Sequence, residues 1–158
     1  MISRMKPSLI KQVIELAVDN VRRDGGPFAA LVARDGIVIA TGTNQVTLTH
    51  DPTAHAEIVA IREACRVLGD FRLTGCEVYS SCEPCPMCLG ALFWARPTRV
   101  FFAATQADAG AAGFDDSFIY RQIPIPPAER GIPMLHIADE EAQRPFAEWA
   151  RKSDKIRY

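Results

Sequence analysis

Apolar positions along this chain change period several times, and each change marks an element. Leu9, Val13, Leu16, Ala17 and Val21 recur at helical spacing, with Ile10 and Ile14 widening the stripe. The spacing predicts an amphipathic helix from Lys6 to Arg23, closed by Gly25-Gly26. Phe28 to Ala33 is a short continuous apolar run, Asp35-Gly36 is a hairpin signal, and Ile37 to Ala40 is the return strand. Asn44 to Thr53 reads as an ordered polar loop. A second helix follows from His55 to Leu68, with Ile58, Ile61, Cys65 and Leu68 on one face and Asp51 or Thr53 as its cap. Cys76 to Ser81 is a third strand, Cys85 to Trp94 a third helix with Pro86 in its first turn, and Arg99 to Ala104 a fourth strand. A Gly/Ala-rich loop from Thr105 to Gly113 leads into Phe114 to Tyr120. A proline-rich connector, Pro124 to Pro133, precedes a strand at Met134 to Ala138 and a last helix from Glu140 to Lys152.

Strands interleaved with helices after an initial hairpin predict an α/β domain with a mixed sheet covered on both faces. No repeat, low-complexity tract or linker breaks it, so 1–158 reads as one domain. With 48% hydrophobic and 23% charged residues, the chain can build a real core. Its net charge of −1 offers no global attraction to nucleic acid or anionic membrane. No apolar run is long enough to cross a bilayer, and Met1 to Pro7 lacks a signal peptide's apolar segment, so a cytoplasmic location is expected. Five cysteines is an odd count, and Cys82, Cys85 and Cys88 stand at metal-ligand spacing. Reduced thiols explain that better than disulfides do.

Two stretches carry the chemistry: Pro52-Thr-Ala-His-Ala-Glu57 and Ser81-Cys-Glu-Pro-Cys-Pro-Met-Cys88. They offer a metal one imidazole, His55, and two thiolates, Cys85 and Cys88, with Glu57 as a carboxylate that does not ligate. Zinc with three protein ligands keeps a position for water, which marks a catalytic site. Cys85 and Cys88 point the same way in the first turn of a helix. His55 and Glu57 are two apart and can share a site only where a helix begins, and the positive end of a helix favours thiolates there. His-x-Glu followed by Pro-Cys-x-x-Cys is the established signature of zinc-dependent base deaminases. In that chemistry Glu57 moves protons between water, a ring nitrogen and the leaving ammonia.

Other arrangements compete. His-Ala-Glu alone is a common helix start, and Cys-x-x-Cys alone fits a redox pair. Cys82-x-x-Cys85-x-x-Cys88 resembles the start of an iron–sulfur motif, but Leu92 stands where its fourth cysteine belongs. A closed four-ligand zinc site that adds Cys82 would make the protein a structural binding module. Cys65, Cys76, Phe93, Trp94, Phe101 and Phe102 are assigned to the core, and His50 and His136 to no role.

With these residues in view, the sequence resembles the cytidine deaminase superfamily, and within it the bacterial guanine deaminases. The likeness covers nearly the whole chain: Gly25-Gly-Pro-Phe28, Asn44, Asp51 to Glu57, Ser81 to Gly90, Trp94-Ala-Arg-Pro97, Ala112 to Tyr120 and Tyr158. The resemblance implies a three-layer α/β/α sandwich with a mixed five-stranded sheet, one Zn²⁺ per chain, and hydrolysis of guanine to xanthine and ammonia. It places a free purine base beside Asn44, Phe28 and Trp94, with Asp116 contacting the base and serving as a second proton carrier. It also implies a homodimer in which the C-terminal segment, about 140–158, is swapped so that Tyr158 closes the neighbouring pocket. On sequence physics alone, Asp116 reads as a loop cap and Tyr158 as a frayed end; the resemblance reverses both. Cytosine, guanosine, a triazine such as ammeline, and adenosine in tRNA are the rival substrates, the last of which needs a basic groove.

Overall fold

Ala29 to Ala33 are all buried in a single strand, so both faces of that strand are covered. The computed structural model describes residues 7–157. The chain divides into two units, one ending at Asp116 and one beginning at Ser117. In order, the first contains α1 (Pro7–Val21), β1 (Ala29–Arg34), β2 (Ile37–Thr43), α2 (Val46–Thr49), α3 (Ala56–Leu68), β3 (Cys76–Cys82), α4 (Pro86–Ala95), β4 (Arg99–Ala104) and α5 (Gln106–Ala111). Among the described residues the sheet has four strands in the order β2-β1-β3-β4. β1 is antiparallel to both neighbours, while β3 and β4 are parallel, with α4 as their crossover.

The period of two along β1 builds the two cores. Ala29, Leu31 and Ala33 join Leu9, Val13 and Ala17 of α1, with Tyr79 between them. Ala30 and Val32 face the other way, onto Ala56, Ala60 and Ala64 of α3 and Leu92 and Ala95 of α4. Helix, sheet and helices thus form the expected three α/β/α layers. Leu31 is fully buried, and truncating it to alanine costs about 2–5 kcal/mol. Asp35 (φ 52°) and Gly36 (φ 76°) make the hairpin turn between β1 and β2, as their sequence predicts.

Gly42 sets the distance between β2 and α3. A Cβ there would run into the carbonyl oxygen of Ala56 and the amide nitrogen of Ala60. Backbone therefore lies on backbone, and the inward face of α3 is Ala56, Ala60 and Ala64. Ile58, Ile61, Cys65 and Leu68, expected to lead that face, are only partly buried, and the last three pack at its side. A similar correction applies to α1, where Asn20 is the fourth buried position and Ile14 and Val21 are exposed.

Several other expectations change. The loop at Thr105–Gly113 contains α5, because the Thr105 hydroxyl accepts the Asp108 N–H while Asp108 accepts the Thr105 N–H, closing a capping box. Neither Asp51 nor Thr53 caps α3. The Asp51 carboxylate instead accepts the N–H and hydroxyl of Thr53, at 2.8 and 2.7 Å. Phe93, Trp94 and Phe102 are exposed in the single chain; of the four aromatics assigned to the core, only Phe101 is packed there.

The second unit contains α6 (Ser117–Gln122), single 3₁₀ turns at Pro127–Glu129 and Glu140–Gln143, and α7 (Arg144–Arg151). The expected fifth strand at Met134–Ala138 is absent, which leaves the sheet at four among the described residues. Its apolar residues have no strand to pair with, and Leu135 and Ile137 are 74% and 84% exposed. Before it, the chain is held by side chains: Arg130 donates to the carbonyls of Ile125 and Ile123, and Gln122 accepts the Gly131 N–H. The last helix starts at Arg144, with Pro145 in its first turn, later than the expected Glu140.

Candidate active site

Two helix beginnings meet at one end of the sheet. His55 is the N-cap of α3 and Cys85 the N-cap of α4, both in extended backbone with no side-chain cap bond. Their side chains are thereby free to turn from the helices toward each other. Cys88 lies in the first turn of α4 and Glu57 in the first turn of α3, which satisfies the convergence that their spacing demanded. The ligand atoms of His55, Cys85 and Cys88 all lie within 4.8 Å of one another. His55 Nδ1 is 3.5 Å from Cys85 Sγ and 3.6 Å from Cys88 Sγ. A tetrahedral zinc with bonds of about 2.3 Å to sulfur and 2.0–2.1 Å to nitrogen spans an S···N edge of about 3.6 Å. The donor set and its spacing therefore fit zinc.

Cys82 is not part of that group. Its thiol donates to the Thr105 carbonyl at 3.5 Å. Among the described residues the group that could hold a metal therefore has three members, and the closed site that adds Cys82 does not form.

The electrostatics match the same assignment. A hydrogen bond from Cys88 lowers the Cys85 thiol to about 4, helped by His55, while that bond and burial raise Cys88. Its bond to Cys85 raises the His55 imidazole. The protons these groups share are ones a divalent cation would displace on binding. Burial raises the Glu57 carboxyl, opposed in part by hydrogen bonds that include the Ser80 hydroxyl, which donates to Glu57 Oε1 at 3.0 Å. The result is a carboxylate close to the metal group, not ligating it, and readier than usual to take a proton.

A cavity of about 240 Å³ opens onto His55, Cys85 and Glu57, with Cys88 buried behind them. That is below the roughly 300–1,000 Å³ of pockets that bury drug-sized ligands, and it suits a smaller molecule. Phe28, Asn44, His55, Glu57, Cys85 and Asp116 all line it. Asn44 is anchored from behind: buried Asn20 donates to the carbonyls of Asn44 and Gly26, at 2.9 and 2.8 Å. Asn44 Oδ1 accepts the Val46 N–H at 3.3 Å. Trp94 is not among the lining residues and is 60% exposed in the single chain. Tyr158 lies outside the described residues.

Reading the sequence missed part of this wall. Val46 and Thr47 come from α2, Glu83 from the cysteine loop, Gln106 and Ala109 from α5, and Phe114 from the stretch before Asp116. The Phe114 ring meets Phe28 edge-on at 5.0 Å. Thr105-x-x-Asp108 was the available signal for α5, and with it for Gln106 at a helix start. Ser80 carried no signal, since its role depends on pairing across 23 residues.

Comparison with known proteins adds a second line of support. Residues 4–104 match the family described as the cytidine and deoxycytidylate deaminase zinc-binding region. Guanine deaminase from Bacillus subtilis (strain 168) is 51% identical over 152 residues, covering 96% of this chain and 97% of the relative. A crystal structure of guanine deaminase from Bacillus subtilis superposes with a TM-score of 0.96 at 49% identity, covering 98% of this chain and 99% of the other. A tRNA-specific adenosine deaminase from Agrobacterium fabrum (strain C58 / ATCC 33970) is 42% identical over 102 residues, covering 62% of this chain and 67% of the relative.

Proposed function

Because the chain belongs to the cytidine and deoxycytidylate deaminase zinc-binding family, we propose that it hydrolyses guanine, as the free base, to xanthine and ammonia. One observation carries this reading: a His/Cys/Cys group of zinc-binding geometry opens onto a cavity of about 240 Å³ that also holds a buried carboxylate. The relative named for guanine matches along 96% of the chain, against 62% for the relative named for tRNA, which favours the free base. A chain at net charge −1 gives no support to a polyanionic substrate.

His55, Cys85 and Cys88 would hold the zinc. When bound, it supplies Lewis acidity, bringing the pKa of water at the site towards about 7. Glu57 receives a proton from the attacking water, delivers it to a ring nitrogen of the base and helps protonate the departing amine. Ser80 keeps one oxygen of Glu57 occupied, so the other does the transferring. The ring of the base lies against Phe28, with Asn44 as its hydrogen-bonding partner. Asp116, which also lines the cavity, contacts the base and serves as a second proton carrier. The edge-on pair of Phe28 and Phe114 keeps water from that side.

The same reading covers the assembly. The chain is one deaminase domain that works as a homodimer, with the segment of about 140–158 exchanged so that each Tyr158 closes the other chain's cavity. Large apolar side chains exposed in the single chain support it: Phe93 and Trp94 on α4, Phe146 and Trp149 on α7. Five free cysteines suit a reducing compartment, the cytoplasm. Among the described residues no helix is long and apolar enough to cross a membrane.

Metal analysis together with ammonia release from a panel of bases and nucleosides tests the proposal. One zinc per chain and ammonia from guanine are expected. Release only from cytosine, guanosine, ammeline or tRNA adenosine would replace the substrate. Zinc without release from any of them would make the protein a binding module.

A further inference from the structure

Gln106 opens α5 and ties two walls of the cavity together. Its side-chain Nε2 donates to Asp116 Oδ1 at 2.5 Å, and its backbone N–H donates to Glu83 Oε2 at 3.0 Å. All three residues line the cavity. Glu83 is itself fixed, because its N–H donates to the Ala104 carbonyl at 2.9 Å. It stands between Cys82 and Cys85, in the loop that presents a metal ligand. Asp116 ends a stretch, 112–116, that belongs to no helix or strand. Its carboxylate is therefore carried by loop backbone and not from within a helix or strand. An amide bond to a carboxylate oxygen is charge-assisted, and it leaves the second oxygen with its lone pairs for another donor.

We propose that Gln106 is a positioning residue for the deamination: its amide holds one oxygen of Asp116 so that the other is aimed at the bound base. Glu83 holds Gln106 against the cysteine loop, so Asp116 is placed relative to the metal ligands through two hydrogen bonds. This rests on the deaminase reading above and adds the residue that acts through Asp116. The base it serves presents N–H donors to a carboxylate, as an aminopurine does.

A double-mutant cycle separates positioning from mere bracing. Gln106→Leu lowers kcat about tenfold, the worth of one hydrogen bond to a charged group, while KM changes less than about twofold. In an Asp116→Asn background the same replacement changes kcat by less than about twofold. Losses that multiply in full would overturn the proposal. Gln106→Glu keeps the side-chain length and the backbone bond to Glu83 but sets one carboxylate against another. At neutral pH it falls below Gln106→Leu, because one carboxylate then repels the other. Wild-type activity of Gln106→Glu at neutral pH would equally overturn it. The contact is also read without turnover, from the ¹H–¹⁵N signal of the Gln106 side-chain amide. That signal shifts in Asp116→Asn; an unmoved signal refutes the contact. If guanine releases no ammonia but another base does, the cycle is run on that base, and only the substrate assignment falls. If no base is turned over, the deaminase reading fails and this inference with it.

Discussion

Replacing Ser80 by alanine removes a single hydroxyl from behind the cavity. Ser80 and Glu57 are 2% and 6% exposed, and their hydrogen bond is 3.0 Å long. In a place so shielded from water, a hydrogen bond to a charged acceptor is worth about 1.5–3 kcal/mol. If the loss falls on the orientation of Glu57, kcat/KM drops about ten- to a hundredfold, at 1.36 kcal/mol per tenfold. The pH profile should move as well, in a direction the structure fixes. Burial raises the Glu57 carboxyl and the Ser80 bond opposes it, so without the hydroxyl the carboxylate is protonated at a higher pH. The acidic limb of kcat/KM therefore shifts upward. Ammonia release from guanine between about pH 5 and 9, on enzyme of verified zinc content, measures both effects. Ser81 provides the control, because alternation along β3 turns it to the other face, where its hydroxyl oxygen accepts the Ala29 N–H at 3.0 Å. Ser81→Ala should lower stability by about 1 kcal/mol and leave kcat and the profile in place. Wild-type kcat/KM and an unmoved acidic limb in Ser80→Ala would refute the reasoning.

Glu57→Gln should keep one zinc per chain and lose about 10²–10⁴ in turnover, and a near-normal rate would remove Glu57 from the mechanism. His55→Ala should lose the zinc and all ammonia release, whereas metal retained at full stoichiometry would mean that another group ligates. Gly42→Ala forces β2 and α3 apart and should cost about 1–3 kcal/mol in denaturant unfolding, with zinc affinity reduced alongside; an unchanged midpoint would show that the contact yields freely. Deleting Lys155 to Tyr158 should cripple guanine turnover with zinc and far-UV dichroism intact, and an unaffected truncation would end the exchanged-arm proposal.

Legibility in the sequence followed the range of the interactions. His55, Glu57, Cys85 and Cys88 could be read because helical turn geometry fixes their relations within three residues, and two helix starts were enough to bring them together. The elements from α1 to β4 were readable for the same local reason, except α2, whose four residues Val46–Thr49 fall in the stretch expected to be a polar loop. The inward face of α3 was not, since the bulkier Ile58, Ile61 and Leu68 outweigh alanines in any hydrophobic count. What selects the alanines is Gly42, on a different strand. Gln106 and Glu83 are joined across 23 residues, and no period records such a bond. At Met134–Ala138 the apolar pattern was real, but a strand also needs a neighbour to pair with. Phe93 and Trp94 teach the same lesson, because an apolar residue announces that it will be covered without saying by what.

The two sides of the cavity are built to different tolerances. His55, Glu57, Cys85 and Cys88 sit on helix starts clamped to the sheet, with α3 pressed so close to β2 that not even a methyl group fits between them at Gly42. Phe28, Asn44, Gln106, Phe114 and Asp116 come from strand ends, loops and a short helix, where sequence varies more freely than on the packed elements. Such a scaffold lets evolution trade the recognised base for another by rewriting connections, while the reactive hardware stays under a constraint that almost no substitution can relax.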